Sequence, residues 1–250
     1  MSHKKRIVII GATSAIAEHC ARLWIKDHPI DFILIGRDAQ RIQRVSNDLK
    51  VRSPESKFQI IEIDFQDPQT ISTNVNNIYK LGPVDIALIA HGSLPKQSDC
   101  QADIKSCQNA LEINAISPAL FAEAFAKHMG KSNYGTLAFI GSVAGDRGRK
   151  SNYVYGAAKG LVDRYSQGLR HRFANSKVNI ILIKPGPTDT PMTQHIKHQG
   201  IKLVSVENVA RTIVKGISQG KNIIYAPKKW WLIMMVIRHI PSFIFNKLNI

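Results

Sequence analysis

Seven short runs rich in Val, Ile, Leu and Phe recur along the chain, at residues 6–10, 31–35, 58–63, 84–90, 136–140, 178–183 and 222–225. They show little polar alternation, the pattern of strands covered on both faces by other elements. Between them lie longer stretches with apolar positions at helical spacing, at 14–26, 39–50, 68–80, 100–129, 153–174 and 206–218. Strict alternation of strand and helix requires right-handed crossovers between parallel strands. The pattern therefore predicts an α/β fold with a doubly wound, parallel, seven-stranded sheet. No internal repeat, low-complexity tract or linker interrupts residues 1–226, which read as one domain. Residues 227–250 form an extension of different character.

At 250 residues the chain can bury a substantial core without disulfide or metal staples. Hydrophobic residues at 44% and charged residues at 21% exclude wholesale disorder. No apolar run approaches the roughly 20 residues that cross a bilayer. Cys20, Cys100 and Cys107 are odd in number and widely spaced, which fits a reducing, cytoplasmic location. Lys4-Lys5-Arg6 ahead of Ile7-Val8-Ile9-Ile10 mimics a signal peptide, but Gly11 ends the apolar stretch. A signal core needs about 7–15 apolar residues, so this reads as a first strand.

Charge changes the picture more. The formal net charge is +16. Residues 1–130 carry 15 Lys and Arg against 14 Asp and Glu, whereas residues 131–250 carry 19 against 4. After Glu207 there are seven basic residues and no acidic one. Such a one-sided field suggests a polyanionic partner: nucleic acid, anionic lipid or a phosphorylated substrate. No nucleic-acid-binding motif accompanies it, so nucleic acid is not the expected partner.

The first strand ends in Gly11-Ala12-Thr13-Ser14-Ala15-Ile16-Ala17. Small residues between a strand and a helix let backbone N–H groups approach a pyrophosphate, and they also serve plain tight turns. The second strand ends at Gly36-Arg37-Asp38, where a dinucleotide fold meets the adenosine ribose. An acidic residue there accepts from a ribose 2′-hydroxyl, whereas Arg37 suits a 2′-phosphate. NADP(H) is therefore expected in preference to NAD(H). Tyr155 and Lys159 are four residues apart and share one helix face. An adjacent ammonium would stabilise phenolate and bring tyrosine toward the range of a proton donor and acceptor. Ser142, 13 residues before Tyr155, closes a strand and could bond the same substrate oxygen.

Together these motifs resemble the short-chain dehydrogenase/reductase family over about residues 4–226. The resemblance implies a Rossmann-type domain and an NAD(P)-dependent oxidoreductase interconverting C=O and CH–OH. Its catalytic residues would be Asn114, Ser142, Tyr155 and Lys159, the first lying in Leu111-Glu112-Ile113-Asn114-Ala115. Tyr155 would exchange a proton with the substrate oxygen. Lys159 would hold the nicotinamide ribose, Ser142 would orient the carbonyl, and Asn114 would support a water relay. The implied cofactor path runs along Gly11, Thr13, Ser14, Ile16, Arg37, Asp64, Phe65, Ala90, Gly92, Tyr155, Lys159, Pro185, Gly186, Thr188 and Thr190. Asp64 would meet the adenine, and the two threonines the carboxamide or phosphate end. A homodimer or homotetramer is implied as well. Two departures stand out. The family's TGxxxGxG reads Ile10-Gly11-Ala12-Thr13-Ser14-Ala15-Ile16-Ala17, and its NNAG reads Ile89-Ala90-His91-Gly92.

The stretch Ser142-Val143-Ala144-Gly145-Asp146-Arg147-Gly148-Arg149 is similar to a narrower bacterial group within that family. The group includes decaprenylphosphoryl-2-keto-ribose reductases, which act on a keto-sugar carried by a polyprenyl phosphate. Arg147, Arg149 and Lys150 lie between Ser142 and Tyr155, where they could hold a phosphate or form a solvated loop. Ser142, Arg147 and Arg149 are the candidate substrate contacts. Among the nine histidines only His195 and His198 are three apart, and no carboxylate completes a metal site. In the extension, Trp230-Trp231-Leu232-Ile233-Met234-Met235-Val236-Ile237 is apolar on every side of a helix. As helix it is about 12 Å long, too short to span a bilayer. Lys228, Lys229 and Arg238 flank it, which fits peripheral attachment to an anionic membrane; burial in an oligomer interface is the alternative. A catalytically idle nucleotide-binding protein and a reductase of small soluble ketones are the rival functions.

Overall fold

The computed structural model describes residues 4–194 and 202–248. Its sheet holds β1 (Arg6–Ile10), β2 (Asp31–Gly36), β3 (Lys57–Glu62), β4 (Ile86–Ile89), β5 (Gly135–Ile140), β6 (Val178–Pro185) and β7 (Ile223–Ala226). All pairings are parallel, in the spatial order β3-β2-β1-β4-β5-β6-β7. Strand order reverses between β1 and β4, which opens a crevice at their carboxyl ends. The chain is thus an α/β Rossmann-type domain with seven parallel strands.

Alternation along β1 divides the core. Ile7 and Ile9 pack on one face with Ala17, Ile42, Leu49, Val209 and Ile213. Those residues come from α1 (Ala15–Trp24), α2 (Ala39–Arg52) and, much later in the chain, α8 (Val206–Ser218). Val8 and Ile10 pack on the other face with Ile71, Val75, Phe121, Phe125 and Val162. These belong to α3 (Pro68–Lys80), α6 (Ser117–Ser132) and α7 (Tyr153–Arg172). Burial of β1 on both sides is what its uninterrupted apolar run requires.

The single helix expected over 100–129 is instead four pieces: α4 (Gln97–Ala102), α5 (Ile104–Leu111), a π-helical turn (Glu112–Ile116) and α6. Asp103 causes the first break. Its carboxylate accepts from the N–H groups of Lys105 at 3.1 Å and Ser106 at 2.8 Å, capping α5. Such a cap is worth about 1 kcal/mol and favours a fresh start over continuation. The π turn holds Asn114, fully buried, and turns of this kind recur at functional sites.

The extension forms α9 (Lys229–His239), followed by the turn Ser242–Phe245. Although the run is apolar all round, the fold splits it into two faces. Met234 is buried with Val143 and Tyr225, and the Trp230 indole lies against the Gly186 backbone. Trp231, Leu232, Val236, Phe243 and Ile244 face outward. Among the described residues no helix is long and apolar enough to cross a membrane.

Candidate active site

A cleft of about 440 Å³ lies at the carboxyl ends of the strands. It brings together Gly11, Thr13, Ser14, Ile16, Arg37, Phe65, Ala90, Gly92, Asn114, Ser142, Arg149, Tyr155, Lys159, Pro185, Gly186, Thr188 and Thr190. Of the residues singled out in the sequence for this site, Asp64, Arg147 and Lys150 stay outside it.

The β1–α1 turn uses its one glycine where nothing else fits. Gly11 has φ +84°, and a Cβ there would come within 2.5 Å of the His91 nitrogen. Ala15 and Ala17, which stand at family glycine positions, are inside α1. Helical φ is negative, so a methyl costs nothing there, and Ala17 joins the core. Ser14 precedes the helix without a side-chain cap. The helix N-terminus therefore faces the cleft with no side-chain oxygen of its own over it.

At the end of β2, Asp38 caps α2, its carboxylate accepting from the Arg41 N–H at 3.0 Å. Arg37 is left exposed, its guanidinium 5.9 Å from the centre of the Phe65 ring. Phe65 is held in turn by His91 at 4.5 Å and Phe121 at 5.7 Å. Arg41 also lines this end of the cleft. The sequence reading overlooked it, although an arginine four residues after Arg37 in the first turn of a helix was there to be noticed. Asp64 is exposed beside the cleft and accepts from the Gln66 N–H at 2.9 Å.

The loop after β4 lacks the family's two asparagines, and the structure shows what ties it. Asn114 Oδ1 accepts from the Ser93 N–H at 2.9 Å, and its Nδ2 donates to Ala110 O at 2.9 Å. His91 Nε2 pairs with Ser117 Oγ at 2.8 Å. Burial, with the cations Lys159 and Arg37 nearby, holds His91 neutral, its pKa pulled down to about 3. Gly92 provides the gap: a Cβ there would lie 2.8 Å from Asn114 Oδ1 and 3.5 Å from Lys159 Nζ.

Ser142 follows β5 and caps the short turn Val143–Asp146, accepting from the Ala144 N–H at 3.1 Å. That turn sits on the backbone of α7. A Cβ at Gly145 would meet Lys159 O at 2.8 Å, and one at Gly156 would meet Ala144 O at 3.0 Å. Bare backbone on both sides thus brings Ser142 to Tyr155. The expected lowering of the Tyr155 pKa is corrected. Burial raises it above the ordinary phenol value, and only the hydrogen bond with Ser142 pulls the other way. Lys159 lies 5.8 Å from the Tyr155 ring centre and donates to Ile140 O at 3.1 Å. Burial brings Lys159 down to about 8. In the protein alone, desolvation sets the direction of both shifts.

Beyond β6, Thr188 is buried and donates to Gly186 O at 2.9 Å, while the Gly186 N–H donates to Ala226 O at 3.0 Å. Thr190 caps a short turn with Thr193. Arg147, expected as a substrate contact, lies outside the cleft. It donates to the carbonyls of Ile237 and Ile240, each at 2.6 Å, and its guanidinium lies 3.7 Å from the Phe245 ring centre. At the C-terminal end of α9, Ile237 O also accepts from the Ile240 N–H at 3.4 Å, and the guanidinium adds a cation to these carbonyls. Arg149 does line the cleft, and its buried Nε has no hydrogen-bond partner among the described residues. His195 and His198 lie outside the described residues.

The family profile described as short chain dehydrogenase matches residues 5–200. The chain belongs to the short-chain dehydrogenase family and is an NAD(P)-dependent oxidoreductase. It is 24% identical over 247 residues to an uncharacterized oxidoreductase of Streptomyces coelicolor, covering 98% of this chain and 96% of the relative. Among solved structures it is similar to a short-chain dehydrogenase from Sphingobium yanoikuyae in complex with NADPH, with a TM-score of 0.80 and 20% identity. That match covers 95% of this chain and 97% of the other. A bulky-bulky ketone specific alcohol dehydrogenase from Comamonas testosteroni matches with a TM-score of 0.79 and 18% identity, covering 98% and 95%.

Proposed function

We propose that this protein is an NADP(H)-dependent reductase that turns a ketone into an alcohol on a hydrophobic, phosphate-bearing substrate at a membrane surface. The observation that carries the reaction is the half-buried Tyr155 phenol in the cleft, bonded to Ser142 and standing beside Lys159. Its raised pKa keeps it protonated at neutral pH, the state a proton donor to a carbonyl oxygen needs. Ser142 would hold that oxygen, and Lys159 would carry positive charge next to the phenolate as the proton leaves.

The cradle fits a dinucleotide. Gly11 and Gly92 admit close approach, the α1 N-terminus is uncapped, and Arg37 and Arg41 stand at the ribose end beside Asp38, whose Oδ1 caps α2. NADPH, when bound, supplies the hydride. Gly11, Thr13, Ser14 and Ile16 would hold its pyrophosphate, Arg37 its 2′-phosphate, Phe65, Ala90 and Gly92 its adenosine side, and Lys159, Pro185, Gly186, Thr188 and Thr190 its nicotinamide half. Asn114 would anchor the water relay. Arg149, whose buried Nε has no hydrogen-bond partner among the described residues, offers a cation to a substrate phosphate. A keto-sugar on a polyprenyl phosphate has the required parts. The outer face of α9, with Lys228, Lys229, Arg238 and Lys247 around it, suits adhesion to anionic lipid on the cytosolic face. In this reading residues 1–226 are the catalytic domain and 227–250 the adhesive one, with a homodimer or homotetramer as the assembly.

Tyr155→Phe keeps the ring and removes the proton. NADPH-dependent reduction of lipids in a membrane extract, followed by mass spectrometry, should fall by about 100-fold or more. NADPH affinity should stay nearly constant. A variant that retains most of its rate would remove Tyr155 from the chemistry.

A further inference from the structure

Lys184 is the penultimate residue of β6, immediately before Pro185-Gly186, and only 3% of it is exposed. Its ammonium donates to the Asp146 carboxylate and to Asp163 Oδ2, the latter at 2.6 Å. It also lies 5.5 Å from the centre of the Tyr225 ring, whose hydroxyl donates to Asp146 Oδ2 at 2.9 Å. Asp163 Oδ1 accepts from Gln167 Nε2 at 2.8 Å. Burial opposes the charge on Lys184, but the two carboxylates outweigh it and hold the pKa above the ordinary lysine value. A charged, doubly bonded group therefore sits at the junction of four elements.

Those elements are the ones that carry the chemistry. Asp146 ends the turn that Ser142 begins. Asp163 lies on α7 four residues beyond Lys159 and eight beyond Tyr155, on the same face. Tyr225 belongs to β7, and Lys184 leads into the Pro185-Gly186 loop. The seam between the turn and α7 is backbone on backbone, at Gly145 and Gly156. No side chain interlocks across those two contacts, so packing alone does little to set how far the turn slides along the helix. Directional, charge-assisted bonds set it instead.

We propose that Lys184 is a positioning residue for proton transfer: by holding Asp146 and Asp163 together, it fixes the Ser142 turn on the helix that carries Tyr155 and Lys159. The inference rests on the reading of Tyr155 as proton donor. A displacement of 1 Å at reacting groups costs on the order of 100-fold in rate. Lys184→Met keeps the length and removes the charge. In the full chain, with a soluble ketone that the wild type reduces, kcat should fall by about 10- to 100-fold. KM and NADPH affinity should move less than about threefold, because the ground-state contacts remain. Lys184→Arg should recover most of kcat.

A stability role alone predicts the opposite split: a lower melting temperature with unchanged kcat per folded molecule. Should Lys184→Met fail to fold, the triple variant Lys184→Met, Asp146→Asn, Asp163→Asn removes all three charges together and should show the same kcat loss. Unchanged kcat in either folded variant overturns the proposal, and so does failure of both to fold. If Tyr155→Phe retains turnover, the donor reading itself falls. If Tyr155→Phe is inactive while Lys184→Met keeps full kcat, only the positioning role is lost.

Discussion

Arg37 is exposed at the end of β2 while its neighbour Asp38 caps α2, and the proposed 2′-phosphate contact rests on it. Replacing Arg37 by Asp should move the ratio of kcat/KM for NADPH over NADH toward NADH. One charge-assisted contact of about 1.5–3 kcal/mol corresponds to roughly 10- to 150-fold. Arg41 lines the same end of the cleft, so the double variant Arg37→Asp, Arg41→Ala should go further. An unchanged ratio in both would take this end of the cleft out of cofactor choice. Lys159 makes a separate statement about stability. Burial lowers its pKa from 10.5 to about 8, so between those values the unfolded chain binds more protons than the folded one. Stability gained from this group therefore rises with pH across that window, and below pH 8 the burial cost is present in full. At 1.36 kcal/mol per pKa unit the cost is ~3 kcal/mol. Lys159→Met should therefore be more stable than wild type at pH 7, with the advantage shrinking toward pH 10. Urea titrations at pH 7 and pH 9.5 would show it. A less stable variant at pH 7 would mean that the bond to Ile140 O outweighs the burial cost.

Secondary structure was legible wherever hydrophobic period alone decides it, as in the seven strands, whose observed bounds differ from the expected ones by two residues or fewer. It failed where a local polar bond competes with period. The apolar spacing through residues 100–129 is continuous, yet Asp103 restarts the helix and the π turn inserts Asn114. The cap was written in the sequence as Asp103 three residues before Ser106, a signal that periodicity drowns. Helix α9 shows the converse. Its composition gives no face, and only the partners Val143, Tyr225 and Gly186 select the inner one. The outer face can be tested alone. Leu232→Glu with Val236→Glu alters two exposed positions and should leave the melting temperature and soluble-ketone reduction unchanged. Sedimentation with anionic liposomes should drop strongly, since apolar insertion is lost and charge repulsion added. If liposome binding survives while an oligomer dissociates in light scattering, the face is a subunit contact.

Across the whole molecule, the sequence identified the residues that converge, because Ser142, Tyr155 and Lys159 combine with Gly11 and Arg37 in one α/β order. It did not identify their protonation. The Tyr155 pKa depends on how dry the cleft is, and dryness arises from packing that no motif encodes. Nor did it show that Arg147 belongs to α9, since a loop arginine and helix carbonyls 90 residues later share no local pattern. That long reach gives the site an order in time. Chains fold as they are made, N-terminal parts first. When Ser142, Tyr155 and Lys159 emerge, Tyr225 of the Asp146 cluster and the carbonyls that Arg147 grips have yet to be synthesised. The catalytic turn then carries an unshared guanidinium and a half-filled carboxylate until the last strand and helix arrive. A nascent chain can thus hold its central strands and its tyrosine helix well before it holds a working turn. A chain stalled before residue 223 therefore lacks the partners that Asp146 and Arg147 find in Tyr225, Ile237 and Ile240.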